Sequence, residues 1–177
     1  VAGEGQAMSP VDDDFDSQTE NVTAVISIAD LSEGQHTIYV HGQNVSGIWG
    51  KFVTLIFVVD RIAPTIENVH IVYPKNQAAA HNSQWIVISA LIKEATTQLD
   101  STSLLLRSAS VDANSASGYL MRDNGENGDV VPNDGVFTAR LKVTTTETDT
   151  LTFTIDAEDI VPNSRQITGN IVIDNIL

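Results

Sequence analysis

Two stretches of the chain carry one pattern. Residues 38–60 read IYVHGQNVSGIWGKFVTLIFVVD, and residues 153–174 read FTIDAEDIVPNSRQITGNIVID. In each, an apolar run of period two (Ile38/Val40, then Phe153/Ile155) leads into a polar turn of Asn, Asp, Gly or Pro. A second apolar run follows and stops on Asp60 or Asp174. Laying Val40 on Ile155, Asn44 on Asp159 and Asp60 on Asp174 needs a gap of one residue. Period-two alternation sends successive side chains to opposite faces of an extended strand. A strand–turn–strand–Asp unit that occurs twice is how tandem β-sandwich modules look in sequence.

The rest of the chain follows the same period. Residues 21–29 alternate Val22/Ala24/Ile26/Ile28 against Thr23/Ser27, residues 35–42 alternate again, and 51–60 form a last strand. The sequence predicts further strands over 66–73, 84–93, 103–111, 119–122, 136–143, 151–157 and 166–174, with turn residues about every ten positions. Residues 94–102 are polar, with room for a short helical turn. Seven strands after Pro64 match the count of an immunoglobulin-like sandwich. The expected fold class is therefore all-β, as tandem immunoglobulin-like sandwiches of which the first is incomplete. Residues 1–62 supply three strands, the closing part of a module, and 65–177 a complete one. Between them Pro64 fixes its own φ and restricts Ala63, which makes a short, stiff linker. A three-stranded sheet with an apolar face needs a cover. Either further strands precede Val1, or another chain donates one to the open edge, or residues 1–20 hold a strand that the pattern does not show.

Composition narrows the function. With no cysteine among 177 residues, the modules depend on a buried apolar core rather than on disulfides, and 42% hydrophobic residues suffice for one. Nine Lys and Arg against 23 Asp and Glu give a formal charge of −14, which opposes binding to nucleic acid or anionic lipid. Such a surface suits a soluble extracellular protein, or one that collects cations. No apolar run reaches membrane-spanning length; Phe52–Val59 is the densest. A start at Val1 without a signal peptide is expected of a processed segment. Two sequons, at Asn21 and Asn44, are candidate glycosylation sites in a secreted chain.

The strongest chemical candidate is the loop from Asp123 to Gly135. Calcium takes six to eight oxygens at about 2.3–2.6 Å, and short oxygen-bearing residues spaced by glycine can wrap one ion. Asp123, Asn127, Asp129 and Asp134 are the candidate ligands. Counted from Asp123 they partly follow the calcium loop of an EF-hand, but Gly125 replaces a ligand and Asp134 stands where Glu is usual. The competing expectation is a solvated hairpin loop, rich in Asn, Asp and Gly because these tolerate left-handed backbone. A second candidate is the module junction, where Asp60 ends one unit and Asp156, Glu158 and Asp159 lie on the closing hairpin of the other. The run Asp12–Asp14 with Asp16 reads as a solvated edge. His36, His41, His70 and His81 have no zinc spacing, and no nucleophile elbow, P-loop or dinucleotide fingerprint is present. No catalytic residue is expected. Trp85, in an apolar strand, reads as core, and Trp49 as a ring covering the end of a sandwich. Exposed instead, they would be platforms for sugars.

The stretch from Leu31 to Asn44, with Gly47-Ile48-Trp49-Gly50 after it, resembles a repeat of large secreted and cell-surface proteins of archaea and bacteria. In that repeat a strand–hairpin closes an immunoglobulin-like or fibronectin-III-like module. A linker of the kind Val59-Asp60-Arg61-Ile62-Ala63-Pro64 then opens the next. Asp123–Gly135 followed by Val136-Phe137-Thr138-Ala139 is similar to a turn of such surface modules. Position 48 is Ile where the repeat usually has Asn. The resemblance, of the S-layer and adhesin type, implies a non-enzymatic structural or adhesive module at the cell surface or in a filament. Neighbouring modules or subunits of a surface assembly are the expected partners, with neither nucleic acid nor inserted membrane among them. The alternatives are a carbohydrate-binding accessory module of a secreted hydrolase and a subunit that assembles by strand donation.

Overall fold

A computed structural model describes residues 5–108, 118–146 and 148–175. The chain is all-β, built of antiparallel sheets. It divides into two compact units, one ending at Ser32 and one beginning at Glu33.

The first unit holds two short strands, β1 (Ser9–Pro10) and β2 (Val22–Thr23), paired antiparallel. The alternation over 21–29 predicts a longer strand than forms. Beyond Thr23 no partner strand accompanies the run among the described residues, and Val25, Ile26 and Ile28 are exposed. Alternation specifies which side chains share a face; it does not supply the neighbour that a ladder requires.

The second unit opens with a hairpin of β3 (Gly34–Val40) and β4 (Val53–Val59), in register from Gly34 opposite Val59 to Val40 opposite Val53. Past Val40 the pairing continues irregularly, with Gly50 N donating to Gly42 O (2.8 Å) and Asn44 N to Ile48 O (3.0 Å). At the base of the hairpin Glu33 accepts from Arg61 N at 2.8 Å and pairs with its guanidinium at 3.0 Å.

After the Pro64 stretch come seven strands: β5 (Thr65–Val72), β6 (Trp85–Lys93), β7 (Leu105–Ser108), β8 (Tyr119–Leu120), β9 (Val136–Lys142), β10 (Thr150–Glu158) and β11 (Ser164–Val172). They form a three-stranded sheet, β5-β6-β9, and a four-stranded sheet, β11-β10-β7-β8. The two share one core, an arrangement compatible with a β-sandwich. Ile86, Ile88, Ala90 and Ile92 enter it from β6, and Leu151, Phe153, Ile155 and Ala157 from β10. Leu106, Leu141 and Ile171 add to it from β7, β9 and β11. Each set consists of alternate positions, so burial follows directly from the period of the sequence.

Two details close the sides. Arg122, just past β8, bridges to Thr138 of β9 in the other sheet. At the opposite side Ala80 bridges to Ile173, and Val172 N donates to the Tyr73 hydroxyl at 3.0 Å. Edge strand β5 carries a register shift between Glu67 and His70, with Asn68 at φ 52°. Such irregularities blunt an edge against unwanted pairing.

Gly169 of β11 lies opposite Phe153, and a Cβ there would run into the Phe153 ring. The ring fills space that a side chain would need, so Gly169→Ala is expected to destabilise by about 1–3 kcal/mol through overpacking. Phe153→Ala is expected to cost about 3–5 kcal/mol through the cavity it leaves. Urea unfolding midpoints of the two variants against the parent chain check both values.

Candidate functional site

The structure gathers carboxylates in three places. In each of three groups one carboxylate oxygen per residue lies within 4.8 Å of the others: Asp123, Asp129 and Asp134; Asp60, Glu94 and Asp159; and Asp12, Asp16 and Glu20. Each of these clusters could hold a metal ion.

The loop 123–135 joins β8 to β9. Gly125, Gly128 and Gly135 sit at φ 77°, 102° and 85°, and Asn127 and Asn133 at 57° and 61°. Its composition therefore serves the left-handed backbone, which Gly and Asn adopt at least cost. Its carboxylates organise the turn. Asp123 accepts from Asp134 N (3.2 Å) and Gly135 N (2.7 Å). Asp129, buried, accepts from Gly125 N (2.6 Å) and Val131 N (3.1 Å), and Asp134 accepts from Val136 N (2.9 Å). Three of the four residues that the sequence singles out are thus brought together, while Asn127 contributes a backbone conformation. Gly128 packs so closely on Val87 that a Cβ would come within 2.7 Å of Val87 Cγ1, which seats the loop on the sheet.

The second group lies at the base of the hairpin. Asp60 follows β4, Glu94 follows β6 and Asp159 follows β10. Asp60 and Asp159 are 7% and 2% exposed, unusual burial for carboxylates. Asp60 accepts from Ile62 N (3.1 Å) and the Thr97 hydroxyl (2.6 Å). Asp159 accepts from Val161 N (2.8 Å), Asn163 N (3.1 Å) and Asn163 Nδ2 (2.9 Å). Asn163 Nδ2 also donates to the Asp60 carbonyl at 3.3 Å. Of the junction acids named from sequence, Asp159 does meet Asp60. Asp156 instead pairs with Arg107 at 2.9 Å. Glu94 escapes a sequence reading because the repeat ties Asp60 to Asp174. The signal available was its place at the end of a strongly apolar strand.

The third group lies in the first unit, where Asp12 and Asp16 are exposed and Glu20 accepts from Ser17 N at 2.6 Å. Both sequon residues are exposed; Asn44 accepts from Ser46 N and Ile48 N at 3.0 Å each, so its amide oxygen holds the hairpin loop.

Trp85 is not core. It is 48% exposed, lines an open cavity of about 290 Å³ with Tyr73, Val87 and Gly128, and carries the Arg140 guanidinium 4.8 Å from its ring centroid. The register explains this. Ile86, Ile88, Ala90 and Ile92 take the inward positions of β6, so Trp85 and Val87 fall on the outer face. Trp49, 56% exposed, stacks on His41 at 4.1 Å, and His41 stacks on Phe52 at 4.3 Å. No helix among the described residues is long and apolar enough to cross a membrane.

No protein-family model matches the chain, and no curated protein matches it.

Asp129→Ala removes the acceptor of two backbone N–H groups. We expect it to lower stability by about 1–3 kcal/mol, read as an earlier urea midpoint. Asp100 allows a pH test. Donation from Thr102 N (2.9 Å), and then from the Thr102 hydroxyl (2.7 Å), holds its carboxyl below the ordinary value of 3.8. A carboxyl depressed in the folded state stabilises above its unfolded pKa, and that contribution is lost as pH falls through the folded value. Asp100→Ala should therefore melt below the parent chain at neutral pH, with the gap closing in acid; melting curves across that range check it.

Proposed function

We propose that the chain is a non-enzymatic structural or adhesive module of an extracellular cell-surface or filament protein, acting through its hairpin. One observation carries this reading: β3 and β4 are apolar on both faces and form a sheet of two strands, with no third strand among the described residues. Tyr39, Phe52, Ile56 and Val58 point to one side, and Ile38, Val40, Val53 and Leu55 to the other. Val53, Leu55 and Ile56 are each more than half exposed. A strand apolar on both faces belongs in the middle of a structure, and an isolated hairpin is marginally stable in water. Covering this one with a neighbouring module or subunit removes both defects.

The remaining strands support an immunoglobulin-like or fibronectin-III-like module. Lettered A, B, C, C′, E, F and G from β5 to β11, they lie as A-B-E and G-F-C-C′, the orders of such sandwiches. The first such module of the tandem is the incomplete one, represented by the hairpin. The net charge of −14 fits an extracellular surface. Calcium belongs to the reading as a stabiliser of the loop 123–135, through Asp123, Asp129 and Asp134.

A carbohydrate-binding accessory module is the second reading, favoured by the exposure of both tryptophans. Against it, Arg140 and His41 already occupy one face of each ring. Quenching of tryptophan fluorescence by soluble oligosaccharides, lost in Trp85→Ala, would decide for it.

The assembly reading expects oligomers whose population rises with concentration in sedimentation velocity. Leu55→Lys and Ile56→Lys should each reduce them without lowering the melting temperature of the sandwich. A chain that stays monomeric at every concentration would remove self-assembly through the hairpin.

A further inference from the structure

We propose that Asp60, Glu94 and Asp159 form a calcium site at the base of the hairpin, separate from the loop 123–135. The inference does not rest on the surface role, since it concerns a closed polar cluster rather than an exposed face. Three carboxylates meet within 4.8 Å, two of them more than nine-tenths buried. Among the described residues the ion pairs are Arg61–Glu33, Lys93–Glu67 and Arg107–Asp156, and none of them reaches this cluster. Like charges gathered out of water repel one another and lose hydration, a combination that persists only with compensation.

An account of the six carboxylate oxygens locates what is missing. Both oxygens of Asp60 and both of Asp159 accept hydrogen bonds from Ile62, Thr97, Val161 and Asn163. Glu94 Oε1 accepts from the backbone N–H groups of Ala95 (2.6 Å), Thr96 (2.7 Å) and Thr97 (3.5 Å). Glu94 Oε2 is shut away from solvent and accepts from no donor among the described residues. A solvent-shielded oxygen with no donor, on a carboxylate that lies within 4.8 Å of two buried ones, is a ligand atom in want of a cation.

The donor set selects the ion. All three ligands are carboxylates, with neither histidine nor cysteine among them, so a hard cation is favoured over zinc. The oxygens come from three chain segments already fixed by hydrogen bonds, an irregular cage that calcium tolerates and magnesium does not. Bound there, the ion would join the end of β4 to the ends of β6 and β10, and so fasten the hairpin to the sandwich.

The test is titration of the metal-stripped full chain with calcium chloride, followed by calorimetry and by amide ¹H–¹⁵N spectra. Saturable binding is expected, with shifts at Thr97, Leu99, Val161 and Asn163. Glu94→Gln should weaken that binding about tenfold or more, while Asp134→Asn leaves those shifts in place. Shifts confined to Gly125, Val131 and Gly135, no binding at all, or an unchanged affinity in Glu94→Gln would each overturn the proposal. Should Glu94→Gln not fold, the shift map of the parent chain decides. Sedimentation does not enter these readouts, so the site and the assembly reading fail separately.

Discussion

Everything in the larger unit depends on one burial event: the inward positions of β6 meeting those of β10. Ile86, Ile88, Ala90 and Ile92 on one side and Leu151, Phe153, Ile155 and Ala157 on the other give the two sheets their common interior. With no cysteine in the chain, no covalent cross-link shares the task. Fixing those side chains inward fixes the outward ones as well, because the period is two. Trp85 is exposed, and Val87 only half-buried, for the same reason that Ile86 and Ile88 are buried. The register likewise places Gly169 under the Phe153 ring, so one aromatic side chain sets what its neighbouring strand can carry.

The strands after Pro64 are legible in the sequence to within a few residues, since each pairs with a neighbour and is bounded by turn residues. The runs read at 84–93, 136–143 and 151–157 became β6, β9 and β10. The run at 103–111 is observed as Leu105–Ser108, and its continuation lies outside the described residues. What failed was context. Residues 21–29 alternate as well as any strand, yet only Val22 and Thr23 pair. The polar stretch 94–102 forms bends and turns rather than helix, and Glu94 Oε1 accepts from three successive backbone N–H groups there. Trp85 reads as core in the sequence because both faces of β6 are apolar, and composition then hides the parity that decides burial.

The acidic groups show the same division between local and long-range information. Asp123, Asp129 and Asp134 lie within one short loop, so sequence alone could propose them together. The loop geometry then gives their oxygens a structural task in positioning backbone N–H groups. Asp60, Glu94 and Asp159 come from three distant segments, and only the sheet topology brings them to one end. The two repeated hairpins illustrate the limit of pattern matching. Both form, but β3 and β4 are joined by residues 41–52 while β10 and β11 are joined by 159–163. Positions equivalent in the pattern, Asn44 and Asp159, therefore occupy different places relative to their strands.

Among the described contacts, the base of the hairpin is its best-held end. Val59 and Asp60 are buried and Glu33 holds Arg61, whereas Val53 at the far end is open to water. A ladder anchored in this way frays from its free end, because each successive pair has less packing behind it. Backbone order is therefore expected to be graded along a single element, high where it leaves the shared core and falling toward the turn. Anything that docks on it would meet the most adaptable backbone first and the best-held backbone last.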